Sequence, residues 1–134
     1  MRNRQHHFLQ DERGGELIEF AIAALLFFSL LFGIMEFGRA IWIYGTTAHA
    51  AREGARYAIV RGAESGRAAS ASDVATYVQG VLAGMQCSPA NTTWSPDNKP
   101  GSVVTVQVNC PFSPAYAVLP AITLTSTSKM VISY

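Results

Sequence analysis

Charge is scarce in this chain. Of its 134 residues only 14% are Asp, Glu, Lys or Arg, and ten basic residues nearly balance nine acidic ones. A net charge of +1 offers no basic surface of the kind nucleic acid needs, so no nucleic-acid partner is expected. Cysteine is scarcer still, with only Cys87 and Cys110. Their spacing does not suit zinc and no histidine lies near them, so no metal site is expected. The chain has no Gly-rich phosphate loop, nucleophile elbow, dinucleotide fingerprint or internal repeat. Glu53, Glu64, Asp73 and Asp97 are scattered, and none forms a pair that sequence assigns to acid–base work. We expect neither an enzyme nor a cofactor.

What is plentiful is apolar surface: 49% of the residues are hydrophobic, and the largest share lies in one run. Phe20 to Met35 carries no charge. With Leu17 and Ile18 the run is broken only by Glu19. At 1.5 Å per residue, Leu17 to Met35 spans roughly 28 Å as a helix, close to the hydrocarbon thickness of a bilayer. The run is read as a membrane helix over residues 15–44, preceded by a polar leader over 1–14 that includes His6 and His7. A head of ninety residues, 45–134, follows.

Glu19 needs a reason to be there, because an ionised carboxylate in hydrocarbon requires a positive partner, protein or water. A cut between Gly14 and Gly15 would create an α-amine at Gly15, and Glu19 would then be the fifth residue. First and fifth residues share a helix face, so amine and carboxylate can pair within one chain or between neighbours. Glu19 in the headgroup layer with no further role is the competing reading. Glu36 and Arg39, three apart, can pair where the helix leaves the membrane, and Trp42 and Tyr44 suit the interfacial aromatic belt. The short tail carries Arg2, Arg4 and Arg13, so it is placed in the cytoplasm and the head outside.

The helix is expected to continue past the membrane. Ile41, Tyr44, Ala48, Ala51, Ala55 and Ala58 recur at helical spacing as a seam of mostly small side chains, and Ala50 and Gly54 add a small-xxx-small pair. The seam would pack against sister subunits or against the chain's own head. His49, Arg52, Glu53 and Arg56 fall on the opposite face. Residues 61–71 read as a linker by their Gly, Ser and Ala content. Ser70 or Ser72 can cap a second helix with Asp73 near its start, an apolar face of Val74, Val78, Val81, Leu82 and Met85, and Gly84 at its end. Residues 86–102, with Pro89, Pro96 and Pro100, read as irregular, with Trp94 over the edge of the core. Asn91-Thr92-Thr93 fits a glycosylation sequon, a pattern common by chance. Val103 to Cys110 alternates as a half-buried strand ended by Pro111, and Ala121 to Tyr134 alternates as a second strand antiparallel to it. In a translocated head the two cysteines pair, stapling a small core; two buried thiols are the alternative. The fold expected is α+β: a long amino-terminal helix, a second helix and a two- to three-stranded antiparallel sheet.

Three motifs in this order carry a resemblance. Arg13-Gly14-Gly15-Glu16-Leu17-Ile18-Glu19-Phe20 before a long apolar run looks like the processing site of type IV prepilins in the Flp/Tad form. Gly33-Ile34-Met35-Glu36-Phe37-Gly38-Arg39 and Ala50-Ala51-Arg52-Glu53-Gly54-Ala55-Arg56-Tyr57-Ala58 continue it. Together they resemble the TadE-like pilus assembly proteins, pseudopilins of tight-adherence systems, over the first sixty residues; beyond them only the general layout matches. The resemblance implies cleavage by a prepilin peptidase, with Glu19 and Phe20 at mature positions five and six, which favours a cut after Gly14 over one after Gly15. It implies a single pass through a bacterial inner membrane with a periplasmic head. It also implies a prepilin peptidase, other minor pilins, the major Flp pilin, the inner-membrane platform and membrane lipid as partners. The readings set against it are an uncleaved single-span anchor with a small binding domain, and a secreted domain released after Ala40.

Overall fold

The computed structural model describes residues 12–115 and 120–133, and side chains from Gly14 onward. The expected leader lies almost wholly outside these residues, as do His6, His7 and the Tyr134 expected to close the last strand. Elements follow in the order α1 (Glu12–Ile59), α2 (Ala71–Val81), β1 (Asn91–Ser95), β2 (Val103–Phe112) and β3 (Ile122–Val131). This is an α+β chain with a long apolar amino-terminal helix, a second helix and a three-stranded antiparallel sheet. It divides into two compact units between Met35 and Glu36.

In the first unit α1 keeps its apolar side chains exposed: Leu17 is 70% and Phe20 73% accessible. Leu, Phe, Ala and Ile hold the helix together without a polar face, which is the pattern of a helix whose solvent is lipid.

In the second unit the carboxyl-terminal part of α1 forms the floor of the core. Its buried face is Thr47, Ala50, Ala51, Gly54, Ala55 and Ala58. Of the expected seam only the later turns are buried within the chain: Ile41 and Tyr44 are exposed at 55% and 53%, and Ala48 is half-buried. The reason lies in reach. The residues that cover α1, including Val74, Val78 and Val106, meet it around Gly54, so the small-residue face is buried only in its later turns.

Helix α2 begins with a complete capping box. Ser70 Oγ accepts from the Asp73 backbone N–H at 3.2 Å, and the Ser70 N–H donates to Asp73 Oδ2 at 2.9 Å. Val74, Val78 and Leu82 are fully buried. The helix ends at Val81, and the chain reverses through Ala83 and Gly84, both at positive φ (48° and 84°). The left-handed pair supplies the stop expected at Gly84. The stretch read as a linker is tied down: Ala63 N–H donates to the Asn98 carbonyl at 2.7 Å and Ala69 N–H to the Arg61 carbonyl at 2.8 Å.

The sheet order is β1-β2-β3, with β2 central. Val104, Val106, Val108 and Cys110 face the core, as the alternation predicts. Two expectations fail here. Asn91–Ser95, read as irregular, forms β1 and pairs with Val103–Gln107, with Thr92 and Trp94 turned inward. The β-forming Thr-Thr-Trp run was legible but is enclosed by Pro89 and Pro96. Pro111 does not end β2, which continues to Phe112. The Asn109 carbonyl accepts from Ser88 N–H, so the backbone polar groups of Asn109 and, two residues on, of Pro111 point away from β3. The N–H that proline lacks would have faced a sheet edge β1 does not reach. Strand β3 ends at Val131, short of the predicted end, and Ile132 is buried behind it at 2% exposure.

Candidate functional site

The amino-terminal motif lies at the start of α1. Gly14 is half-buried and Gly15 exposed, and both are in helical conformation, so the peptide bond expected to be cut falls within the first turn. Glu19 and Phe20 follow on the same helix, both exposed. Among the described residues Glu19 makes no hydrogen bond or ion pair. The carboxylate is therefore open to a partner outside the described residues. The helix from Gly14 to Ile59 is long and apolar enough to cross a membrane, with a mean hydropathy of 2.5 over its most apolar window.

Glu36 and Arg39 meet. Arg39 Nη2 donates to Glu36 Oε2 at 2.8 Å, one helical turn away. The same nitrogen donates to the Ser113 carbonyl at 2.6 Å, and the guanidinium carbon lies 4.6 Å from the centre of the Phe112 ring. The i,i+3 pair was readable from spacing. Its long-range half, which fastens the end of β2 to α1, had no local signal.

The packing seam and the disulfide meet in one core. Ala51, Gly54 and Ala55 are buried on α1, with Ala48 half-buried at the edge. A Cβ on Gly54 would fall 2.5 Å from Val78 Cγ2, 3.2 Å from Val106 Cγ1 and 3.6 Å from Val74 Cγ1. No side chain larger than hydrogen fits there, so part of the small-residue seam is consumed within the chain. Cys87 and Cys110 are bonded, with Cα atoms 4.2 Å apart, joining the loop after α2 to the far half of β2. There β1 no longer covers β2, so the bridge and the Ser88–Asn109 hydrogen bond take its place.

Sequence reasoning missed one cluster. Tyr57 and Tyr77 stack at 4.5 Å between ring centres, and the Arg61 guanidinium covers the Tyr57 ring at 3.9 Å. It joins the end of α1 to α2 and needs no help from chemistry to explain it. Two carboxylates are held below their ordinary range. For Asp73 the cause is first the Ser70 hydroxyl and then the Ser70 backbone N–H. For Asp97 it is the Ser102 hydroxyl, then the Lys99 backbone N–H. Both are structural turns. Among the described residues no group of three His, Cys, Asp or Glu side chains is placed to hold a metal ion.

Residues 14–56 match the family described as TadE-like protein, the family whose motifs the sequence resembles. The matched segment includes Gly14, Gly15, Glu19, Glu36, Arg39 and the buried face through Ala55, and it stops short of α2 and the sheet. No curated protein matches the chain, and no solved structure does.

Proposed function

We propose that this chain, whose residues 14–56 match the TadE-like family, is a minor pilin or pseudopilin of a Flp/Tad pilus assembly system. One observation carries the reading: the matched residues run unbroken along a single helix, from the Gly14-Gly15 motif through an exposed apolar run to the buried face of the head. Such a helix serves as a lipid anchor before assembly and as a packing spine during it. A prepilin peptidase cuts after Gly14. The new α-amine of Gly15, or that of a neighbouring subunit, then pairs with Glu19, whose carboxylate has no partner among the described residues. That pairing sets the axial register between subunits.

In this reading the chain is a peptidase substrate and not an enzyme. The head is periplasmic, stapled by Cys87–Cys110 as suits an oxidising compartment. Its partners are the prepilin peptidase, other minor pilins, the major Flp pilin and the inner-membrane platform, and its role is in pilus biogenesis and adherence. The test is the mature amino terminus, read by mass spectrometry from cells with and without the peptidase. A peptidase-dependent start at Gly15 is expected. A start at Met1 would point to a static anchor, and a start at Ile41 to a secreted domain.

A further inference from the structure

We propose that the polar cavity between the end of α1 and the start of α2 binds one carboxylate presented by an acidic peptide segment, with Arg61 and Arg67 as the receiving groups. The cavity measures about 370 Å³ and is lined by Tyr57, Arg61, Arg67, Ala68, Ala69 and Asp73, a volume within the range of small ligand sites. It lies outside the segment that matches the family, which ends at Arg56. The inference does not depend on the pilin reading. Three observations carry it.

The first is that the cavity is built. Arg61 and Arg67 stand in a stretch rich in Gly, Ser and Ala, a composition with little shape of its own. Backbone bonds give it one. Ala69 N–H donates to the Arg61 carbonyl at 2.8 Å and closes the stretch on itself. Ser65 Oγ donates to the Gly62 carbonyl at 2.7 Å and accepts from Arg67 N–H at 3.3 Å. Both arginines therefore reach the same cavity. Arg61 is fixed further, with its guanidinium 3.9 Å from the centre of the Tyr57 ring, and Tyr57 is itself stacked on Tyr77. A guanidinium held against a ring keeps its N–H donors in a planar fork, the geometry that grips a carboxylate.

The second is unmatched charge. Among the described residues the ion pairs are Glu36–Arg39 and Glu53–Arg56. Neither Arg61 nor Arg67 has a carboxylate partner there. Arg61 gives one nitrogen to the Tyr57 carbonyl at 3.4 Å. Arg67 is exposed, and only its backbone N–H is bonded. Glu64, on the same loop, is exposed and does not line the cavity. Asp73 does line it, but its Oδ2 is taken by the Ser70 N–H at 2.9 Å and the Ser70 hydroxyl at 2.7 Å.

The third is the charge balance, which selects the ligand. The Ser70 hydroxyl, and then the Ser70 backbone N–H, hold Asp73 below the ordinary carboxylate range, so it is ionised at neutral pH. Two arginines and one aspartate leave the cavity with a single positive charge. A carboxylate neutralises it. A phosphate group, with a charge of about −1.5 to −2, overcompensates it and sets its excess against Asp73. Asp73 Oδ1 takes no hydrogen bond from the chain and can accept a backbone N–H. A peptide offers that donor beside its acid; a simple carboxylate does not.

The test uses the full chain, labelled with ¹⁵N, in an uncharged detergent at low salt. The probe is a tripeptide, Ala-Glu-Ala, blocked at both ends, and the amide resonances of residues 61–73 report its binding. Saturable shifts are expected with this probe and none with the blocked Ala-Gln-Ala peptide. Arg67→Gln should weaken binding about tenfold or more, the scale of a lost hydrogen bond between charged groups. Arg61 also holds the end of α1 through Tyr57, so the exposed Arg67 is the deciding variant. Arg67→Lys, which keeps the charge and loses the fork, should fall between the two. Shifts that do not saturate, equal binding of the Gln peptide, or an unchanged affinity in Arg67→Gln would leave two solvated arginines and overturn the proposal. Acetate or inorganic phosphate binding as tightly as the Glu peptide would make this a general anion site and overturn it as well.

Discussion

Adding one methyl group at Gly54 should unfold part of what the head depends on. An ideal Cβ there falls 2.5 Å from Val78 Cγ2, and Val106 Cγ1 and Val74 Cγ1 are also within 3.6 Å. Carbon atoms prefer about 3.5–4.0 Å, so the nearest contact must open by about 1 Å. Val78 cannot turn aside cheaply, because a β-branched side chain in a helix has essentially one χ1 rotamer. Moving α2 off α1 instead would loosen a core in which Val74, Val78 and Val106 are fully buried. Overpacking of this kind costs about 1–3 kcal/mol, and one severe and one tight contact at a site where Val74 Cγ1 also lies at 3.6 Å, leaving little room to relax, place it near the top of that range. Replacing helical glycine by alanine returns about 1 kcal/mol. Gly54→Ala should therefore destabilise the head by about 2 kcal/mol net. The assay is urea unfolding of the full chain in detergent, followed by tryptophan fluorescence in a Trp42→Phe background so that Trp94 alone reports. Gly80→Ala in α2 is the control, since that position is exposed and a Cβ there meets nothing within 4 Å; it should stabilise by about 0.5–1 kcal/mol. Opposite signs for the same chemical change are the signature. Gly54→Ala that is neutral or stabilising would refute the packing argument. Adding Val78→Ala should relieve the clash, with a coupling of about 1–2 kcal/mol in the double-mutant cycle.

Four further outcomes can be measured. Ser70→Ala removes the hydroxyl half of the capping box and should cost about 1 kcal/mol in the same unfolding assay. Reduction, or Cys87→Ser, opens a bridge that closes a sequence separation of 23, and should cost about 3 kcal/mol in the chain-entropy picture; equal melting with and without reductant would show the bridge to be irrelevant. Asp73 and Asp97 are held below their ordinary value of 3.8, so their contribution is present above pH 3.8 and lost as pH falls through their lower folded values. Asp97→Asn should accordingly flatten the acid side of the stability profile, and an unchanged slope would count against the Ser102 and Lys99 hydrogen bonds as its cause. Glu19→Ala should leave membrane insertion intact and impair pilus assembly, and normal piliation would remove the register role assigned to that carboxylate.

The parts of the fold that local chemistry determines were legible in the sequence. The apolar run predicted a long helix because composition alone decides whether a helix can lie in lipid. The Ser70–Asp73 spacing predicted a cap because both partners lie within one turn. Alternation in Val104, Val106 and Val108 predicted a buried strand face for the same reason. What was not legible depended on residues far apart in the chain. Strand β1 exists because Thr92 and Trp94 find Val106 and Val104 across the sheet, and that pairing outweighs the two flanking prolines. Pro111 stays in β2 because β1 is too short to ask it for a hydrogen bond, which no pattern around Pro111 reveals.

The same division runs through the candidate site. Gly14, Gly15 and Glu19 are legible as a motif because they lie within six consecutive residues at the start of one helix. The small-residue seam was readable as a face but not in its extent, because burial depends on where Val74, Val78 and Val106 arrive. Arg39 makes the point most directly. Its pairing with Glu36 follows from a spacing of three, whereas its bond to Ser113 spans 74 residues. A local pair of this kind is worth only about 0.3–0.5 kcal/mol on an exposed helix. The second bond changes what the arginine is for. A side chain that would otherwise balance one carboxylate also fixes the end of β2, at Phe112 and Ser113, against α1, so removing it should disturb that end of the strand well before it disturbs the helix.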